Sequence, residues 1–119
     1  MPVQTKSIYE PAGDDDGLRV LTTNYWPRGI SRERAGTYVR ALGPSRDLLR
    51  AFRVGAIDWP EYEIRYLSEM TLGPQQDEIR RLAEIARGQP LTVMCVCKDD
   101  AQCHRRLLRD LIERRMEAL

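Results

Sequence analysis

All three cysteines and the single histidine of this 119-residue chain fall between positions 95 and 104, in the order C-x-C-x5-C-H-R. Thiolate and imidazole are the side chains suited to binding soft metals, attacking electrophiles or exchanging disulfides. Cys95, Cys97, Cys103 and His104 are therefore the first candidates for chemistry, with Arg105 beside them. Four readings fit. Cys103 or Cys97 is a nucleophile, with His104 as base and Arg105 as anion binder. Alternatively Cys95, Cys97, Cys103 and His104 hold a metal, zinc being the default for that ligand set. The spacing is unlike paired C-x2-C, and neighbouring residues on a helix diverge by about 100°. A redox dithiol is a third reading, although C-x-C is not the C-x-x-C of thioredoxin-like motifs. The fourth is structural: free cysteine is among the most buried residue types, and the histidine would order a corner.

The elements around these residues must bring them together. After Pro90, the run from Leu91 to Cys97 is almost continuously apolar, as expected for a strand covered on both faces. Lys98-Asp99-Asp100 breaks it, and Asp99 or Asp100 is placed to cap a last helix running to about Ala118. On that helix Cys103, Leu107 and Leu111 form one core-facing row, and His104, Leu108 and Ile112 the next. Arg105, Arg106 and Arg109 are expected to point to solvent or the site rim. Cys95 and Cys97 would share one strand face, with Cys95 roughly 6 to 7 Å deeper. Cys97, Cys103 and His104 would then converge at the C-terminal mouth of the strand. A helix N-terminus favours a thiolate, which makes Cys103 the best candidate for activation, opposed by Asp99, Asp100 and burial against Leu107.

A second buried strand, Leu18 to Thr23, leads directly into Tyr25-Trp26-Pro27-Arg28-Gly29. Pro27 ends regular pairing and Gly29 permits a turn. Loops that follow strands in open α/β sheets are where ligands collect. Trp26, Arg28, Gly29 and Arg105 are thus the ligand-binding candidates. Arg28 is suited to a carboxylate or phosphate, or to pairing with Asp58, Asp99 or Asp100. Lys6 to Tyr9 reads as a short edge strand. Glu10 to Gly17 reads as a turn whose aspartates form a solvated loop.

Helices fill the middle. Ser45 caps one through Phe52, with Leu48, Leu49 and Phe52 as its apolar stripe. Asp58 and Glu61 fit a capping box opening a helix with Trp59, Tyr62, Tyr66 and Met70 on one core face, stopped by Gly73-Pro74. A third helix turns Ile79, Leu82, Ala83 and Ala86 inward and ends at Gly88.

Composition bounds the rest. The length suits one domain spanning residues 1–119, and 42% hydrophobic with 31% charged residues describes an ordinary globular chain. No run approaches a membrane span, and Met1 to Glu10 has no apolar signal core, so a cytoplasmic location is expected. Three cysteines, an odd number, fit a reducing compartment better than a disulfide framework. A net charge of +1 gives no general attraction to nucleic acid or membrane. Locally, Asn24 to Arg53 carries seven arginines against Glu33 and Asp47, a patch able to draw in an anion.

The segment Asp16 to Gly29, D-G-L-R-V-L-T-T-N-Y-W-P-R-G, resembles the D-G-x-R-V-L-x-x-R-x-W-P-R-G pattern of the YeaO-like branch of the domain-of-unknown-function 488 family. Leu42 to Ser45 (L-G-P-S), the grouping of Trp59, Glu63 and Tyr66, and the C-H-R of Cys103 to Arg105 extend the likeness over nearly the whole chain. The resemblance implies a small α/β domain with a short, mostly parallel sheet flanked by helices in three-layer fashion. Members often carry Arg where this chain has Asn24, and others have Asn-His in place of Cys-His. The resemblance thus implies that His104 is shared more widely than the thiols, and it implies no established activity. The preferred expectation is a pocket for an anion or nucleotide-sized ligand at the C-terminal strand ends, with no cofactor assigned. Arg28, Arg105 and the helix start near Cys103 would hold the charge, and His104 would titrate.

Overall fold

The computed structural model describes residues 3–97 and 101–119. Asp99 and Asp100, expected as helix caps, lie outside the described residues. Four short strands, β1 (Gln4–Ser7), β2 (Leu18–Leu21), β3 (Thr37–Tyr38) and β4 (Leu91–Cys95), form one sheet in the order β1-β4-β2-β3. Every pairing is parallel, with Ser7 opposite Cys95 and Leu21 opposite Met94. Among the described residues five α-helices accompany the sheet, α1 (Arg32–Ala35), α2 (Arg46–Arg53), α3 (Trp59–Glu69), α4 (Gly73–Ala86) and α5 (His104–Ala118), with one 3-10 turn at Arg40–Leu42. The expected small α/β domain with a parallel sheet is what the chain forms. None of the described helices is long and apolar enough to cross a membrane.

Side chains alternate across a strand, and here the two faces of the sheet are unequal. Val20, Leu91 and Val93 point into the larger core, shared with Leu48, Tyr62, Tyr66, Leu82 and Leu108 of the long helices. Leu21 and Met94 point the other way, into a small core with Ile8, Ile30 and Ala35. A central strand buried on both faces explains why all five residues of β4 are buried. Each fully buried aliphatic side chain of this kind stabilises by about 1.5–3 kcal/mol.

Two caps form where expected. Ser45 Oγ accepts from Leu48 N–H at 3.2 Å, and Asp58 Oδ1 accepts from Glu61 N–H at 3.0 Å. The capping box of α3 is only half made, since the Glu61 carboxylate bonds Arg65 at 2.7 Å instead of turning back. Other expectations change. Gly73-Pro74 does not stop α3 but opens α4, where a proline lacks nothing because the first helical N–H groups have no partner anyway. The first strand runs Gln4–Ser7, two residues earlier than Lys6 to Tyr9, and is an edge as expected. The last strand stops at Cys95, because the chain bends at Val96. The Asp run is not wholly solvated: Asp16 is 2% exposed, with Lys6 Nζ at 2.7 Å and Arg19 Nη1 at 2.6 Å.

Candidate functional site

A cavity of about 160 Å³ opens at the C-terminal ends of β2 and β4. Its floor is Cys95, Cys97, Cys103 and His104; its walls include Pro44, Leu49, Phe52 and Tyr62. Thr23, Asn24, Tyr25, Arg53 and Gln102 stand around it.

Local sequence places these walls. A Cβ on Gly43 would lie 2.5 Å from Asn24 N and 2.7 Å from the Thr23 carbonyl carbon, so only glycine lets this turn lie against the exit of β2. Pro44 thereby reaches the cavity, and its carbonyl accepts from Asn24 Nδ2 at 3.0 Å. Tyr66 ties the same turn to α3 by donating to Leu42 O at 2.7 Å. The face of α3 then forms an aromatic row: Trp59 stacks on Tyr62 at 5.2 Å, Tyr62 on Tyr66 at 6.4 Å, and Tyr66 meets His104 at 5.5 Å. Tyr62 is core, as expected, and cavity wall as well. Burial raises the phenols of Tyr62 and Tyr66, so both stay protonated.

His104 is 4% exposed and its orientation is determined. Nε2 lies 2.7 Å from Thr22 O and 3.2 Å from Thr22 Oγ1. A carbonyl only accepts, so Nε2 carries the proton of the neutral ring and Nδ1 keeps its lone pair. Nδ1 faces Cys103 Sγ at 3.8 Å. Burial lowers the His104 pKa to about 4, against the Thr22 carbonyl bond, which raises it. The ring is therefore neutral at physiological pH, not poised to titrate near it.

The bend at Val96 alters the expected thiol geometry. Cys97 leaves the strand line and its N–H turns back onto Cys95 Sγ at 3.4 Å. Cys95 is not set apart in a deeper layer: its Sγ is 2.7 Å from Cys103 Sγ, and both residues are buried while Cys97 is half-buried. Hydrogen bonds with Cys103 and Cys95 lower the Cys97 thiol, against burial, which raises it, and the Arg105 charge helps. Its bonds to Cys95 and Cys97, then burial, raise Cys103. For Cys95 the bond with Cys103 lowers the thiol, but the bond with Cys97 and burial outweigh it and raise it. Hydrogen bonding within the cluster thus favours the Cys97 thiolate over that of Cys103, which was expected to be activated by the helix N-terminus. Cys103 is the residue before α5, in extended conformation at φ −141° and ψ 142°. That geometry removes the helical divergence expected between Cys103 and His104 and lets both side chains meet.

Arg105 is the clearest correction. It is 2% exposed, and its Nη1 donates to Cys97 O at 2.7 Å and to Cys95 Sγ at 3.5 Å. It braces the cluster from beneath and does not stand at a rim. Trp26, Arg28 and Gly29 do not line the cavity. Trp26 Nε1 donates to Ile30 O at 2.8 Å and its ring meets Tyr38 edge-on at 5.4 Å, fixing the loop over the small core on the opposite face. Gly29, at φ 77°, makes the turn expected of it, and Arg28 is exposed. The cation beside the cavity is Arg53, whose Nη2 donates to Tyr25 Oη at 3.1 Å and whose guanidinium lies 5.7 Å over that ring. Arg53 follows Leu49 at i+4 on α2 and is exposed; the sequence had placed it only within the arginine-rich stretch Asn24 to Arg53 able to draw in an anion.

The chain is 36% identical over 112 residues to the uncharacterised protein YeaO of Escherichia coli K12, covering 92% of this chain and 96% of that one. It is 28% identical over 115 residues to uncharacterised proteins of Mycobacterium bovis (Mb3100c) and Mycobacterium tuberculosis (Rv3073c), covering 95% of each chain. No solved structure matches. The sequence model of the DUF488-N3a group, described as the active DUF488-N3 subclade, matches residues 3–116, and the chain belongs to that family.

Proposed function

We propose that the cavity at the C-terminal ends of β2 and β4 binds a small anionic ligand. The observation that carries this reading is the charge of the lining: Arg53 stands at the cavity and no carboxylate is among its described lining residues. Gln102, Cys103 and His104 bring the start of α5 to the same space, and the Cys103 side chain makes no capping bond there. The dipole of α5 favours negative charge at this end. A volume of about 160 Å³ is below the several hundred Å³ of drug-sized sites, so a phosphate, a small phosphate monoester or a small carboxylate suits it better than an enclosed nucleotide. The apolar walls of Leu49, Phe52 and Tyr62 would strengthen the attraction by excluding water. A reducing cytoplasm, which would keep the three thiols free, belongs to the same reading.

The test is titration of the protein with inorganic phosphate and with ribose 5-phosphate, followed by amide shifts of residues 23–25, 53 and 101–106. Saturable shifts centred on these residues, weakened about tenfold or more in Arg53→Ala, are expected for loss of one charge-assisted contact. Shifts that are absent, or equal in the variant, would reject the pocket.

A further inference from the structure

The cluster beneath the cavity does something that anion binding does not need. Cys95, Cys103 and His104 are all buried, and their ligating atoms lie within 4.8 Å of one another. Apolar packing would require no particular direction of the imidazole. Here Nε2 is committed to Thr22 O at 2.7 Å, which turns the Nδ1 lone pair toward Cys103 Sγ at 3.8 Å. An imidazole whose far N–H is held by a carbonyl is the arrangement that orients metal-binding histidines. The sulfur of Cys95 receives two N–H donors, the Cys97 backbone at 3.4 Å and Arg105 Nη1 at 3.5 Å. Such donors suit a thiolate better than a thiol, whose sulfur is a weak acceptor.

We propose that Cys95 Sγ, Cys103 Sγ and His104 Nδ1 bind a zinc ion, with Cys97 closing the shell from the cavity side. Two sulfurs and one nitrogen from buried residues match the soft ligand set that zinc takes in tetrahedral sites. With bonds of about 2.3 Å to sulfur and 2.0–2.1 Å to nitrogen, tetrahedral ligand atoms lie roughly 3.5–3.8 Å apart. The Cys103–His104 separation of 3.8 Å already meets this spacing, while the Cys95–Cys103 sulfurs at 2.7 Å would part by about 1 Å. Binding releases the thiol protons to solvent and changes no oxidation state. Three thiolates, one neutral imidazole and Zn²⁺ leave a surplus of one negative charge. Arg105, buried against Cys95 Sγ, puts a positive charge beside that sulfur. The zinc site uses the sulfur and imidazole atoms of the cavity floor while the anion reading rests on Arg53 and the start of α5, so zinc uptake and phosphate binding are read out separately.

The experiment uses the whole chain, purified in reductant without chelators and refilled anaerobically with zinc. Stoichiometric zinc that survives desalting, and an increase in melting temperature on adding zinc, are expected. Cobalt substitution of the wild-type chain supplies a readout that needs no variant: intense visible bands of a tetrahedral site with thiolate-to-cobalt charge transfer are expected. Cys103→Ser should lose most of the zinc while the cobalt spectrum of the parent defines the site should that variant fold poorly. Substoichiometric zinc after refilling, or a weak six-coordinate cobalt spectrum without charge transfer, would overturn the proposal. So would ready formation of a Cys95–Cys103 disulfide with no metal uptake by the reduced protein.

Discussion

The sheet is closed differently at its two ends. At the entrance to β2, Asp16 is buried under a complete set of hard partners. Gly13 N–H donates to it at 3.0 Å, and Lys6 and Arg19 lie at 2.7 and 2.6 Å. Thr92 Oγ1 adds a bond to the Asp16 carbonyl at 2.7 Å. At the exit of β4, two buried thiols, the half-buried Cys97, an imidazole and Arg105 are joined by contacts of 2.7 Å and by looser sulfur contacts of 3.4–3.8 Å, and are bordered by a cavity. The carboxylate corner is closed by hard oxygen–nitrogen contacts. The thiol corner sets soft sulfur atoms beside open space, which is what both proposed sites draw on.

That contrast can be broken by mutation. The largest effect is expected from Arg105→Ala, which leaves the Cys97 carbonyl without this donor and opens a cavity beneath the cluster. A loss of about 3 kcal/mol in urea unfolding is expected, and a loss below about 1 kcal/mol would show that the thiol corner is held by packing alone. Next is Asp16→Asn, costing about 2 kcal/mol at neutral pH because two buried-side cations lose their charge partner. Its pH dependence has a definite sign. Desolvation raises the Asp16 pKa, but the Gly13 bond and the Lys6 and Arg19 contacts outweigh it and hold the carboxyl below its ordinary value. A depressed folded pKa gives stability that is present above the unfolded value and lost as pH falls through the folded one. The wild-type and Asp16→Asn stabilities should therefore converge as pH falls below the ordinary carboxylate range and through the lowered Asp16 value. A gap that persists there would mean that hydrogen bonding, not charge, holds this end. The smallest effect is expected for Thr22→Val, about 1 kcal/mol. It removes the hydroxyl that donates to Met94 O at 3.0 Å, yet the Thr22 carbonyl still holds His104. A His104 ring signal unchanged in the variant would confirm that the backbone sets its tautomer.

The same contrast separates what could be read in the sequence from what could not. Helices α2, α3 and α4 announce themselves through Ser45, Asp58 and three apolar stripes, because caps and periodicity are local. Helix α1 and strand β3 are four and two residues long, too short to show any period. The tight cluster of cysteines and histidine was legible; its geometry was not, since an apolar run gives no sign of the bend at Val96. Arg105 had a readable clue, sitting one helical turn before Leu108 in a row that continues to Ile112. A cation in an apolar row is a buried cation with partners, and the partners here are a carbonyl and a sulfur from another element. Asp16 and Arg53 were hidden for the same reason, because their partners or neighbours are far along the chain.

Strand order carries a kinetic consequence. β4 lies between β1 and β2, yet it is the last strand in the chain, and β1 and β2 have no direct pairing. During synthesis the first two strands must wait for about seventy further residues before their central partner emerges. Closing those long loops precedes the reward of pairing, which slows folding relative to a helical chain of equal size. The helices α2 to α4 can form meanwhile from local contacts. The arrival of residues 91–95 then completes the sheet and delivers Cys95 to its final place in a single late step.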